Sequence, residues 1–200
     1  MKNAMNRRRM LATLGGLSAA LLAGAMPARA DDDEHESRPR SSTTGPVPLP
    51  VTGIKGKVVI VGGGMAGVTL AKYLRLWGGA GIDVTLVERE GAYTSNILSN
   101  LVLNGNVAMS SLSFGYAKVA SSYGVKVLQA NVDGVDAVAR RVRYTKNGVS
   151  GELPYDRLVL APGIDFMFET IPSYRADPAR AVGIVPHAWQ AGPQTTLLRQ

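Results

Sequence analysis

Gly62, Gly64 and Gly67 stand in the run Gly62-Gly63-Gly64-Met65-Ala66-Gly67, between four apolar residues and a stretch with helical spacing. The G-x-G-x-x-G spacing suits a chain that leaves a strand sharply, brings bare backbone against a diphosphate and enters a helix. Gly62 permits the turn. Gly64 carries no Cβ, so a pyrophosphate can come close. Gly67 lets the helix pack tightly against the strand. Met65 and Ala66 open that helix, whose first N–H groups and dipole favour negative charge. Glu88 ends the next apolar run, 26 residues after Gly62. A carboxylate there can accept hydrogen bonds from both ribose hydroxyls of an adenosine and would repel a 2′-phosphate, which disfavours NADP. The spacing exceeds the usual ~20 residues, and the loop Gly78-Gly79-Ala80-Gly81 takes up the excess. Arg89, beside Glu88, joins the candidate site. By itself Glu88 also reads as a solvated acid at a strand end.

These residues need a strand, a helix and a second strand to hold them. Val58-Val59-Ile60-Val61 is a continuous apolar run bounded by glycine, the pattern of a central parallel strand covered on both faces. The helix runs to about Trp77, with Gly67, Ala71 and Leu74 on one narrow face toward the sheet. Asp83 to Val87 forms the second strand. Val125 to Val132 reads as a third, whose end places Val132 near the adenine. Val142-Arg143-Tyr144 and Glu152-Leu153 bracket Asn147-Gly148, a hairpin signal. Arg157 to Ala161 is a further buried strand that leads into the turn Ala161-Pro162-Gly163. The fold class is α/β: a Rossmann-like domain with a parallel sheet and a small antiparallel meander.

Composition narrows the chemistry. The 200 residues are 46% hydrophobic and 18% charged, ordinary for a globular chain. The formal charge of +7 is uneven, because Lys2, Arg7, Arg8, Arg9 and Arg29 lie in the first thirty residues, which hold no acid. The remainder carries 17 basic against 15 acidic residues, so the high pI is no sign of nucleic-acid binding. Cysteine is absent and histidine occurs only at 35 and 187. Disulfides, thiolate metal sites, a cysteine nucleophile and a redox dithiol are therefore excluded within these residues, and no metal site is expected.

Residues 1–30 read as a targeting segment. The twin arginines of Arg7-Arg8-Arg9 with apolar Met10-Leu11 after them, a Gly- and Ala-rich run, and Ala28-Arg29-Ala30 resemble a Tat export signal with its cleavage site, implying a periplasmic protein. The other reading is an uncleaved anchor; the run is short against the ~20 residues of a span, so stable membrane insertion is not expected. Residues 31–54 open with Asp31-Asp32-Asp33-Glu34 and continue in Ser, Thr, Pro and Gly. They read as a flexible linker, with an acidic metal-binding patch as the alternative.

The order of elements from Lys57 resembles the FAD domain of the glutathione-reductase-like flavoproteins, in which an Ala-Thr-Gly turn closes on the pyrophosphate side of the flavin. Ala161-Pro162-Gly163 occupies that place, so Ala161 and Gly163 join the candidate site. Three segments narrow the resemblance: Lys57 to Lys72, Tyr155 to Asp165, and Pro186-His187-Ala188-Trp189-Gln190-Ala191-Gly192 with Gln194-Thr195. Together they look like the flavoprotein subunit of flavocytochrome c sulfide dehydrogenase, over roughly residues 55–200. The resemblance implies FAD, a small reduced substrate of the sulfur class and a c-type cytochrome as partner. It also implies that Tyr93 to Asn100 runs beside the flavin. The family tethers its flavin through a cysteine before Leu-Ser-Asn; reading back from Leu98-Ser99-Asn100, that place holds Asn96. The FAD is therefore expected to be non-covalent, with Asn96 either bonding the flavin or capping a turn. The family's redox cysteine pair lies further along and has no counterpart in these residues. Family members continue through a second dinucleotide domain, so residues 55–200 correspond to the first, incomplete part of an FAD domain.

No catalytic residue stands out. His187 either packs beside Trp189 with its nitrogens hydrogen-bonded or lines a substrate path, and Arg140-Arg141 reads as a solvated pair. Three functions compete: an FAD-dependent oxidoreductase, a non-catalytic FAD- or ADP-binding module, and an NAD-binding dehydrogenase domain. The last fits least, because a meander and an Ala-x-Gly turn do not usually follow the third strand of an NAD domain.

Overall fold

A computed structural model describes residues 45–175 and 177–200. The leader, the acidic run at 31–34 and most of the linker lie outside the described residues. Four parallel strands form the central sheet: β1 (Gly56–Val61), β2 (Ile82–Glu88), β5 (Lys126–Gln129) and β9 (Arg157–Leu160), in the order β5-β2-β1-β9. Val58 pairs with Val84 on one side and Arg157 on the other, so the fingerprint strand is central, as its unbroken apolar run requires.

The alternation of side chains along β1 and β2 builds two cores. Val58, Ile60, Val84 and Leu86 face α1 (Met65–Gly78) and α3 (Ala117–Tyr123), packing with Ala71, Val119 and Val125. Val59 and Val87 face the opposite way, with Ala130 and Val142. The second face is covered by an antiparallel meander of β6 (Asn131–Asp136), β7 (Arg141–Lys146) and β8 (Val149–Pro154). The layers are thus helices, parallel sheet and meander. Each of Ile60, Val84 and Leu86 is fully buried, at about 1.5–3 kcal/mol of transfer free energy apiece. β3 (Ala92–Thr94) and β4 (Ser113–Gly115) form a small separate ribbon, held by stacking of Tyr93 on Phe114. Three short helices close the chain beyond it: α4 (Pro172–Arg175), α5 (Pro178–Ile184) and α6 (Pro193–Arg199); α2 (Ser99–Leu103) precedes β4.

Two expectations change. Val125 to Val132 is not one strand. The parallel strand stops at Gln129, Ala130 donates to the Glu88 carbonyl at 2.9 Å, and Asn131 begins the antiparallel meander. The sequence pattern does not reveal this break, because both halves are β and their alternating residues run on without a turn signal. Val132 therefore belongs to the meander, pairing with Tyr144. The hairpin at Asn147-Gly148 has φ of 51° and 79°, the pair of positive angles its sequence predicts.

The other change concerns the end of the linker. Residues 45–54 form no helix or strand, yet they lie against the domain. Val47 donates to the Ser122 carbonyl at 2.8 Å and Thr52 Oγ1 to the Gly78 carbonyl at 2.6 Å. A Cβ on Gly79 or Gly81 would stand 2.0 Å from the Pro50 carbonyl oxygen or 2.1 Å from that of Ile54. The glycine-rich loop that lengthens the Gly62–Glu88 spacing is thus the bed for this segment. No helix among the described residues is long and apolar enough to cross a membrane.

Candidate functional site

The ladder of β1 runs into the fingerprint from both sides: Gly62 N–H donates to Val87 O at 2.9 Å and Ala161 N–H to Val61 O at 2.8 Å. The glycine turn, the end of β2 and the Ala161-Pro162-Gly163 turn therefore meet at the carboxyl end of the sheet, where ligands of such sheets bind. Gly62 has φ 103°, and a Cβ on it would lie 2.0 Å from the Ala161 carbonyl oxygen. A Cβ on Gly67 would lie 1.9 Å from the Gly62 carbonyl oxygen. These two glycines are required by backbone contact alone.

Gly64 differs. A Cβ there would meet nothing closer than Tyr93, at 3.9 Å. Its freedom serves whatever approaches from outside. Gly64 caps α1 without any side-chain hydrogen bond, and no acidic residue stands in the first turn. The helix start thus presents its N–H groups, and its partial positive charge, to the space in front of it.

Gly63, an unspecified position in the fingerprint, proves as constrained as its neighbours. Its N–H donates to Glu88 Oε2 at 2.6 Å, and its carbonyl accepts from the Tyr116 hydroxyl at 3.1 Å. A Cβ on Gly63 would fall 2.6 Å from the Tyr116 hydroxyl oxygen and 2.9 Å from Glu88 Cγ. Glu88 Oε1 also accepts from the Glu90 N–H at 3.0 Å. Each carboxylate oxygen keeps a further lone pair for an incoming hydroxyl. Tyr116 is 8% exposed. Burial foremost, then the Glu88 charge, followed by Glu90 and Tyr93, pushes its hydroxyl up to about 12, so it stays a donor across ordinary pH.

A groove of about 610 Å³ runs along this junction, lined by Gly62, Gly64, Met65, Ala66, Glu88, Arg89, Tyr93, Asn96, Tyr116, Ala161 and Gly163 among others. A second space of about 450 Å³ adjoins it and shares Gly62, Glu88, Arg89 and Gly163; Val132 lines this one, beyond Glu88. Nine of the residues singled out by sequence line the first space, Val132 lines the second, and Gly67 lies behind, as a packing glycine should. The end of β6, rather than of a long third strand, carries Val132 there. The donor set fits an adenine dinucleotide: a free helix start for the diphosphate, a carboxylate for the sugar, and backbone beside it for the base.

Asn96 lines the groove, and its Oδ1 accepts the Ala191 N–H at 2.9 Å. Ser99 Oγ sits 2.6 Å from the Asn96 carbonyl and 2.8 Å from that of Ala188. Asn96 thus ties the Tyr93–Asn100 segment to the Pro186–Gly192 segment while still lining the groove. His187 packs between Phe166 and Phe168, with ring centroids at 4.7 and 6.2 Å. The rings against it are these two rather than that of the exposed Trp189, and His187 also lines two open spaces; the hydrogen-bonding expectation does not hold for Nδ1, which is buried without a partner among the described residues. No group of acids and histidines there could hold a metal ion.

Residues 56–183 match the family model of the pyridine nucleotide-disulphide oxidoreductases. The chain belongs to that family. Among its relatives, the probable ferredoxin reductase CtmF of Castellaniella defragrans is 35% identical over 109 residues, covering 54% of this chain and 26% of that protein. Solved structures share the fold. The NAD-dependent persulfide reductase of A. fulgidus has a TM-score of 0.54 at 24% identity, over 60% of this chain and 24% of that one. The water-forming NADH oxidase of Lactobacillus brevis has a TM-score of 0.51 at 26% identity, over 62% and 28%. This pyridine nucleotide-disulphide oxidoreductase chain spans about a quarter of the length of each of these relatives.

Tyr116 is the site residue that sequence reasoning missed. It lies at the mouth of α3, 53 positions from the carbonyl it holds. Phe114-Gly115-Tyr116 carries no motif, so only the fold brings it to the fingerprint.

Proposed function

We propose that this chain is the FAD-binding part of an exported oxidoreductase that takes electrons from a small reduced substrate, of the sulfur class, and hands them to a c-type cytochrome. One observation carries the cofactor assignment: Gly64 opens a helix with no side-chain cap, facing a groove that Glu88 also lines. Met65, Ala66 and the Gly64 backbone would hold the diphosphate, Glu88 the ribose, and Val132 the adenine side, while Ala161 and Gly163 would close over the pyrophosphate. Arg89, 72% exposed at the side chain, would lie over the phosphates as a screened charge. When bound, FAD supplies the two-electron to one-electron conversion; the protein supplies binding, orientation and electrostatics. Asn96, in place of a tethering cysteine, leaves the flavin non-covalent.

The substrate and acceptor rest on the three segments that resemble flavocytochrome c sulfide dehydrogenase, and export rests on Arg7-Arg8 and Ala28-Arg29-Ala30. A nicotinamide electron donor is the competing choice, favoured by the pyridine nucleotide in the family's description and by the NADH oxidase relative. The test is to purify the protein at its natural length and look for a flavin spectrum released by denaturation. Bleaching by a small reduced sulfur compound, with reduction of added cytochrome c, is the expected result. Bleaching by NADH alone moves the assignment to the nicotinamide reductases. A colourless protein that binds ADP identifies a non-catalytic module. Replacing Arg7 and Arg8 by lysine should leave the protein in the cytoplasm; unchanged export would remove the periplasmic assignment.

A further inference from the structure

Outside the residues that line up with the fingerprint, the group placed most closely on the phosphate-facing backbone is the Tyr116 hydroxyl. We infer that Tyr116 is a positioning residue for the diphosphate: it grips the Gly63 carbonyl so that the Gly64 N–H is turned toward the bound phosphate. This rests on the dinucleotide reading above.

The geometry follows from the peptide unit. A trans peptide points its C=O and its N–H in opposite directions, and no described peptide is cis. The Gly63 carbonyl and the Gly64 N–H belong to one such unit. Tyr116, packed in the core cluster on the α1 and α3 face, holds the carbonyl from the protein side. The N–H of Gly64 is thereby directed away from that cluster. It has no protein partner among the described residues, and Gly64 itself lines the groove.

The preceding peptide is held as firmly. Gly63 N–H is taken by Glu88 Oε2, so two successive peptides are fixed, one by the sugar-binding acid and one by Tyr116. The two clamps are sterically interlocked, because any side chain on Gly63 would strike both. Without the hydroxyl, the Gly63–Gly64 unit is free to rock, and an N–H donor to a charged phosphate is lost on average. Such bonds are among the stronger ones, and one is worth about a tenfold change in affinity.

The test uses flavin-free protein at its natural length, with ADP and adenosine as probes in calorimetry. Tyr116→Phe keeps the ring in the core and removes only the hydroxyl. It should weaken ADP about tenfold and adenosine by less than about twofold, since only ADP carries the diphosphate. Adenosine binding is at once the folding control. Equal weakening of both ligands, loss of both together, or no change in either overturns the assignment of Tyr116 while leaving the cofactor reading standing. Wild-type protein that binds neither ligand overturns both.

Discussion

Four positions of the fingerprint, Gly62, Gly63, Gly64 and Gly67, are glycine for different physical reasons, and a single methyl group separates them. Gly64→Ala places its Cβ in open space at φ −70°. It should cost at most about 1 kcal/mol of stability, the usual effect of a poorer helix cap, while blocking the diphosphate. The expected outcome is a nearly unchanged melting temperature with loss of bound flavin. Gly67→Ala drives its Cβ onto a main-chain oxygen. It should destabilise by about 1–3 kcal/mol or more through overpacking, seen as a lower denaturation midpoint whether or not ligand is present. Were both variants to lose stability equally, Gly64 would have no ligand to explain it.

Tyr116 adds a pH signature. Its folded hydroxyl titrates near 12 against about 10 in an unfolded chain. A raised folded value means that the neutral form is preferred in the native state. Its contribution is complete below pH 10 and falls as pH rises toward 12. An ultraviolet titration should show one of the seven tyrosines ionising last, and Tyr116→Phe should remove that step and flatten the alkaline loss of stability. The spaced glycines and Glu88 were legible in the sequence because each answers to a local rule of backbone shape or strand-end charge. Tyr116 and the constraint on Gly63 were not, because both arise from a hydrogen bond between distant segments.

At the scale of elements, the sequence pattern located the strands whose burial is two-sided. β1 and β9 read as apolar runs, and β2 as alternating apolar positions, because helices cover one face and the meander the other. The break at Ala130 is not legible in the same way: apolar and polar residues keep alternating from β5 into β6, so the period of two runs on through the change of sheet. The link between Tyr93–Asn100 and Pro186–Gly192 was equally invisible, since Asn96 pairs with a backbone amide 95 positions away. Asn96→Ala removes that acceptor. It should cost about 1 kcal/mol and speed hydrogen exchange at the Ala191 amide, leaving exchange in β1 and β2 unchanged. Protection at Ala191 that survives the substitution would show that the segment is held by packing instead.

For the molecule as a whole, apolar exposure is concentrated beyond β9. Scattered exposed Leu or Ile residues are ordinary, but these are contiguous. Ile164, Trp189 and Leu198 line one space of about 720 Å³, and Phe168, Val182 and Leu197 line another of about 600 Å³, with His187 on the wall of both. Ile164 is 89% and Trp189 78% exposed. β9 is also the last strand of its sheet, with its outer edge unpaired among the described residues. Apolar surface joined to an open strand edge is the combination that promotes association. Residues 1–200 produced alone should therefore bind a hydrophobic dye such as ANS and elute from a sizing column larger than a monomer. Trp189→Gln should lower dye binding without lowering the melting temperature, because the indole contributes little buried area to this unit. A monomeric, dye-silent 200-residue chain would mean that these side chains fold over one another in solution, and that the cavities beside His187 are closed.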